Sequence, residues 1–133
     1  MTGVQTCALP ISGRTPQTGP EGNTGNSTTT QRALGISSIT GPAGALIGVF
    51  LGPSGPNSST TPSDVNMTSQ AARDTAMLSP LLQQPFYVGG GTTSTGTPKK
   101  FIAPSGATRL FLGVLDYYGG NSDNTGSFAV TIF

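Results

Sequence analysis

No histidine occurs in these 133 residues, and cysteine occurs once. The lack of histidine removes the base of a nucleophilic triad. It also leaves zinc, copper and iron without their usual nitrogen ligands. Charge is scarce too, with Lys, Arg, Asp and Glu making up 8% of the chain and a formal net charge of +1. A disordered tail usually relies on charge to stay solvated, and long helices are normally rich in Glu, Lys, Ala and Leu, so neither description suits. The chain has no basic stripe, which excludes extended contact with phosphates and makes nucleic acid a poor partner. No apolar run approaches the ~20 residues of a membrane span.

What the chain has instead is 20 glycines, 11 prolines and a high content of Ser and Thr, with 34% hydrophobic residues. The apolar residues come in short bursts separated by Gly, Pro, Ser, Thr and Asn. This spacing predicts one all-β domain, a small antiparallel β-sandwich of jelly-roll type, spanning residues 13–133. Residues 13–30 show no apolar period and read as loop or part of a binding surface. Ala45–Leu51 is apolar on both alternating faces, as a central or doubly covered strand is, and Gly48 within it suggests a bulge or a close backbone approach. Ser69–Met77 is the best helical window, stopped by Pro80. Leu78, Leu81 and Leu82 read as an apolar plug over the sandwich. Further strands are expected over Pro85–Val88, Lys99–Ala103, Thr108–Leu115 and Ser127–Phe133. The last two should lie side by side or face each other across the sandwich. Lys99-Lys100 reads as a pair that solvates a strand end.

The segment Met1-Thr-Gly-Val-Gln-Thr-Cys-Ala-Leu-Pro-Ile11 resembles the in-frame translation of a common high-throughput sequencing adapter. Residues 1–12 are therefore expected to be foreign to the domain and disordered, an assembly artefact joined to a truncated gene. Cys7 then carries no redox or metal argument. A signal peptide cannot be sought, and the sheet is expected to lack its first strand or two, which would leave an unpaired edge.

The acidic residues point to a site. Two of the five in the chain, Asp116 and Asp123, lie seven positions apart in Asp116-Tyr-Tyr-Gly-Gly-Asn-Ser-Asp123-Asn124, between two strongly apolar segments. Calcium takes six to eight oxygen ligands from carboxylates, amides, main-chain carbonyls and water. The loop offers two carboxylates, the Asn124 amide oxygen and carbonyls around Gly119-Gly120, where glycine lets the backbone fold back. On spacing alone, a hairpin loop in which Asp and Asn merely hold a turn explains these residues equally well. Tyr117 and Tyr118 either pack against the sheet end or form an aromatic wall beside a ligand.

This loop resembles the C-terminal signature of the small galactose-binding bacterial lectins of the PA-IL (LecA) family. That signature is an apolar strand, an Asp, a short Gly-containing loop, two adjacent Asn and Ser-Gly-Ser-Phe. Asp116 matches the family's Asp, Asp123-Asn124 its Asn pair and Thr125-Gly126-Ser127-Phe128 its Ser-Gly-Ser-Phe. Gly44-Ala45-Leu46-Ile47 is similar to its central strand, and Gly19-Pro20-Glu21-Gly22-Asn23 to its Gly-Pro-Gln-Gly-Asp. The resemblance is strongest over residues 108–133. It implies a Ca2+ ion held by Asp116, Gly120 (through its carbonyl), Asp123 and Asn124. It implies sugar hydroxyls that coordinate the ion and contact Asp116, Tyr117 and Asp123. The family's His and Gln sugar contacts fall near Asn26 and Thr29, a departure that weakens any expectation of galactose. Position 12, at the adapter junction, is where the family supplies a further carbonyl.

The expectation is thus a non-enzymatic, calcium-dependent carbohydrate-binding module, secreted or at the cell surface and gaining avidity as a homo-oligomer. The alternative is a structural or adhesive surface domain in which calcium only rigidifies the loop over residues 116–126. Two Asp on one polar loop would both ionise, which argues against a glycosidase acid–base pair.

Overall fold

The computed structural model describes residues 4–8 (as backbone only), 19–117, 120, 124 and 127–132. The protein is a small all-β fold. Ten strands are described: β1 (Val4–Ala8), β2 (Asn23–Thr29), β3 (Ile39–Ala43), β4 (Leu46–Leu51), β5 (Val65–Asn66), β6 (Met77–Leu78), β7 (Pro85–Tyr87), β8 (Lys100–Phe101), β9 (Arg109–Val114) and β10 (Phe128–Ile132). They form four small sheets, ordered β1-β10, β2-β3-β5, β7-β4-β9 and β6-β8. The main pairings are antiparallel, and the two-residue ladders β3-β5 and β6-β8 are parallel. The helical window shrinks to one turn, α1 (Gln70–Arg73), with the Ser69 hydroxyl accepting the Ala72 N–H at its start.

β4 occupies the centre of its sheet, as its apolar character on both faces requires. Leu46 and Phe50 join Phe86, Val88 and Phe101 in one buried cluster, against which Leu110, Phe128 and Val130 pack. Ile47, on the opposite face, lies against a second cluster formed by Ile39, Ala45, Tyr87 and Leu115. β10 therefore packs on one side of the β7-β4-β9 sheet and β3 on part of the other, where Phe111 stays about half exposed. Gly48 is a close approach and not a bulge. The β4–β9 register runs unbroken through it, and a Cβ there would stand 2.6 Å from the Phe86 ring. That ring in turn lies 5.1 Å from Phe50 and 5.0 Å from Phe101, centroid to centroid.

Three expectations are corrected and a fourth is narrowed. Asn23–Thr29 is a strand and not a loop; its side chains are mostly exposed, so no apolar period marks it, and its order comes from backbone pairing with β3. Val4–Ala8, expected to be disordered, pairs with β10 from Val4↔Ile132 to Ala8↔Phe128. A sheet edge accepts a strand through its backbone groups whatever the origin of the sequence. Of the two arrangements expected for the last strands, the side-by-side one is excluded, since β9 pairs with β4 and β10 with β1; Leu110 and Phe128 both pack against the same buried cluster. Leu78 and Leu82 pack on the core as a plug should, whereas Leu81 is exposed.

Candidate functional site

The chain leaves β9 at Val114 and is held at once by the neighbouring sheet turn. The Leu115 N–H donates to the Ala45 carbonyl at 2.8 Å, and the Leu115 carbonyl accepts the Gly44 N–H at 2.8 Å. Gly44 has φ +82, a conformation that favours glycine, and it lets the chain step from β3 into β4 at this point. Leu115 is fully buried, and Asp116 follows it into the interior with 7% of its surface exposed.

A buried carboxylate is costly unless donors reach it. Here the Tyr117 N–H donates to Oδ1 at 2.8 Å and the Asn124 amide donates to Oδ2 at 3.3 Å. The loop turns back through Gly120, whose N–H donates to the Tyr117 carbonyl at 2.9 Å. A Cβ on Gly120 would stand 2.7 Å from Asp116 Oδ1, so only glycine allows the backbone this close to the carboxylate. Tyr117 is half exposed beside it.

The structure thus brings together Asp116, Gly120 and Asn124, three of the four residues expected to hold a cation, with Tyr117 at their edge. Asp123 lies outside the described residues. Among the described residues no group of three or more His, Cys, Asp or Glu side chains gathers as a metal cluster. The donor set fits a hard cation in kind: a buried carboxylate, an amide and a main-chain segment free of side-chain bulk. Asn124 would have to turn its amide oxygen inward, because its nitrogen now faces Asp116.

Asn26 and Thr29 are exposed residues of β2. Asn26 lies in the irregular stretch where the β2–β3 register shifts, between Asn23↔Ala43 and Ser27↔Pro42. Thr29 is bonded to Thr40, Oγ1 to Oγ1 at 2.8 Å. Thr40 stands four residues before Gly44 along β3, roughly 13 Å at the rise of an extended chain.

A second polar site was not expected from the sequence. Lys99, read as a solvating residue, has 1% of its surface exposed, while Lys100 points outward. The Lys99 ammonium lies 4.4 Å from the centre of the Tyr87 ring and 3.5 Å from the Val88 carbonyl. Burial pulls its pKa down to about 8, against partial support from Asp74. Burial also pushes the Tyr87 hydroxyl up to about 12. Arg73 and Asp74 pin the chain nearby. The Arg73 guanidinium donates to the Met67 and Thr68 carbonyls, and the Asp74 carboxylate accepts from the Ser94 N–H and hydroxyl, which lowers its pKa. Nothing in the local sequence pattern told Lys99 from Lys100.

Comparison with protein-family models, curated proteins and solved structures finds no match to this chain. Among the described residues, no helix is long and apolar enough to cross a membrane.

Proposed function

We propose that this protein is a calcium-dependent carbohydrate-binding module, in which two neighbouring sugar hydroxyls complete the shell of an ion held at Asp116, Gly120, Asp123 and Asn124. One observation carries this reading: Asp116 is buried at the end of β9, with Gly120 close against its carboxylate and the Asn124 amide donating to it. An ion there would replace the Asn124 amide hydrogen as the charge-compensating partner. Tyr117, half exposed, is placed to touch the rim of a sugar. Hydroxyls exchange for water at little net gain, so affinity per site is modest, and several sites in a homo-oligomer would supply avidity. A module of this kind works outside the cell or at its surface, and it carries no catalytic residue.

A second reading has its own support. The hydrogen bonds from Tyr117 and Asn124 already hold the Asp116 carboxylate, so the loop can serve as a rigid element of a structural or adhesive surface domain. Calorimetric titration with calcium, followed by a glycan array with and without chelator, separates the two. The first reading expects calcium binding and a glycan signal that needs it, both lost in Asp116→Ala and Asp123→Ala while strand content persists. Calcium binding without any calcium-dependent glycan signal favours the structural domain, and no calcium binding ends both metal readings.

A further inference from the structure

Beside α1 and the end of β7 lies a polar cavity of about 320 Å³ whose walls include Glu21, Thr24, Tyr87, Thr92 and Lys99. Lys99 is the unusual member. An ammonium group has three donors and no acceptor. Here it is almost wholly buried, with one long hydrogen bond to the Val88 carbonyl and the face of Tyr87 in contact, while Asp74 and Glu21 act on it only through space. No carboxylate lies within ion-pair distance of it among the described residues, where the ion pair found is Arg32–Asp64. A buried cation with unused donors is unfavourable unless something else supplies acceptors.

Glu21, in the wall of the same cavity, supplies a carboxylate for which no hydrogen bond is seen among the described residues. The Glu21 carboxylate lies over Gly90, where any side chain would displace it, and the Glu21 carbonyl takes the Tyr87 hydroxyl at 3.0 Å. The other two charges of the cavity, on Arg73 and Asp74, are engaged by main-chain carbonyls and by Ser94. Two cations and two carboxylates cancel formally. An anion entering would meet Glu21 and Asp74, and a cation would meet Lys99 and Arg73. A neutral hydroxyl suits both walls, because its oxygen accepts from the ammonium while its hydrogen is donated to the carboxylate, each bond being charge-assisted.

The geometry points to this cavity as a metal-independent binding site for a small neutral polyol of about monosaccharide size, with Lys99 as donor and Glu21 as acceptor to its hydroxyls. It stands apart from the Asp116 loop and does not rest on calcium. The test is titration calorimetry of the full chain in excess chelator with a panel of D-galactose, D-mannose, D-ribose and myo-inositol, with inorganic phosphate as the anionic control. The expected result is saturable binding of at least one polyol and none of phosphate. That binding should weaken at least tenfold in Glu21→Gln and in Lys99→Met and stay unchanged in Asp116→Ala. If Lys99→Met fails to fold, Glu21→Gln with Thr92→Val carries the test, since both change only the wall of the cavity. Absence of polyol binding in chelator, binding of phosphate in its place, or binding unaffected by Glu21→Gln overturns the assignment. Loss of calcium-dependent glycan capture alone would overturn the loop reading and leave this one standing.

Discussion

Gln83 holds the backbone of Asn57 at both ends: its Oε1 accepts the Asn57 N–H at 2.7 Å, and its Nε2 donates to the Asn57 carbonyl at 2.9 Å. The same Nε2 donates to the Gly35 carbonyl at 2.8 Å, and the Gln83 main chain bonds Phe50 and Ser37. One buried side chain therefore ties together three segments that no strand connects. Its backbone pays for this position with φ +66, a left-handed conformation for a residue that carries a Cβ. Replacing Gln83 by Gly would relieve the backbone by about 1 kcal/mol but leave the buried Gly35 carbonyl and the Asn57 N–H without this partner, at about 1–3 kcal/mol each, while the Asn57 carbonyl keeps its bonds from Thr60. The bonds outweigh the strain. Gln83→Gly is expected to lower stability by about 2–4 kcal/mol in urea unfolding, and a variant as stable as the parent would show that the strain dominates.

Gly48 tests the layer packing. A methyl group at this position meets the Phe86 ring at 2.6 Å, and that ring is wedged between Phe50 and Phe101 and has little room to yield. Overpacking of this kind typically costs 1–3 kcal/mol. Gly48→Ala should therefore lower the thermal midpoint by several degrees, even though alanine is the better strand residue. Gly55, where a Cβ would meet nothing within 4 Å, is the control, and Gly55→Ala should be neutral.

The main core strands were legible, though not their pairing, because burial writes a period into the sequence. Ala45–Leu51 and Thr108–Leu115 are apolar runs bounded by Gly and Pro, and both become strands of the central sheet. β2 was not legible, since Asn23–Thr29 presents mostly polar side chains to water and is ordered mainly by backbone pairing with β3. Asp116 stood out because acidic residues are rare here, and Gly120 and Asn124 lie against its carboxylate. Lys99 and Lys100 look alike in sequence, and only the fold decides that one of them is enclosed beside Tyr87. Gln83 carried no signal, because nothing local shows which chain segments will meet at a buried amide.

Lys99 and Tyr87 should together shape stability at high pH. The Lys99 pKa falls from about 10.5 unfolded to about 8 folded, so from pH 8 upward the folded state releases its proton first and gains stability. Tyr87 acts in the opposite sense: its hydroxyl keeps its proton to about 12 when folded but loses it near 10 when unfolded, so stability falls as pH rises beyond 10. Unfolding free energy is expected to rise between pH 8 and 10, by on the order of 1–3 kcal/mol, and to fall above pH 10. Lys99→Met should abolish the rise and leave the fall. A parent profile that is flat from pH 8 to 10 would mean that Lys99 is not enclosed as described.

Asn124→Asp probes the loop without removing its ligands. In the parent the Asn124 amide donates to Asp116 Oδ2 at 3.3 Å, so the substitution sets a carboxylate against a carboxylate and removes a hydrogen bond. Without metal the two charges repel, and the loop should lose about 1–2 kcal/mol. A divalent cation between them reverses the sign, because both groups become ligands and neither has to turn a nitrogen away. The expected outcome is a variant less stable than the parent in chelator, with a larger calcium-induced rise in thermal midpoint and tighter calcium binding in calorimetry. If Asp116 and Asn124 only hold a turn, the variant is destabilised in chelator and calcium at millimolar concentration restores nothing, which would remove the metal from the account of this loop.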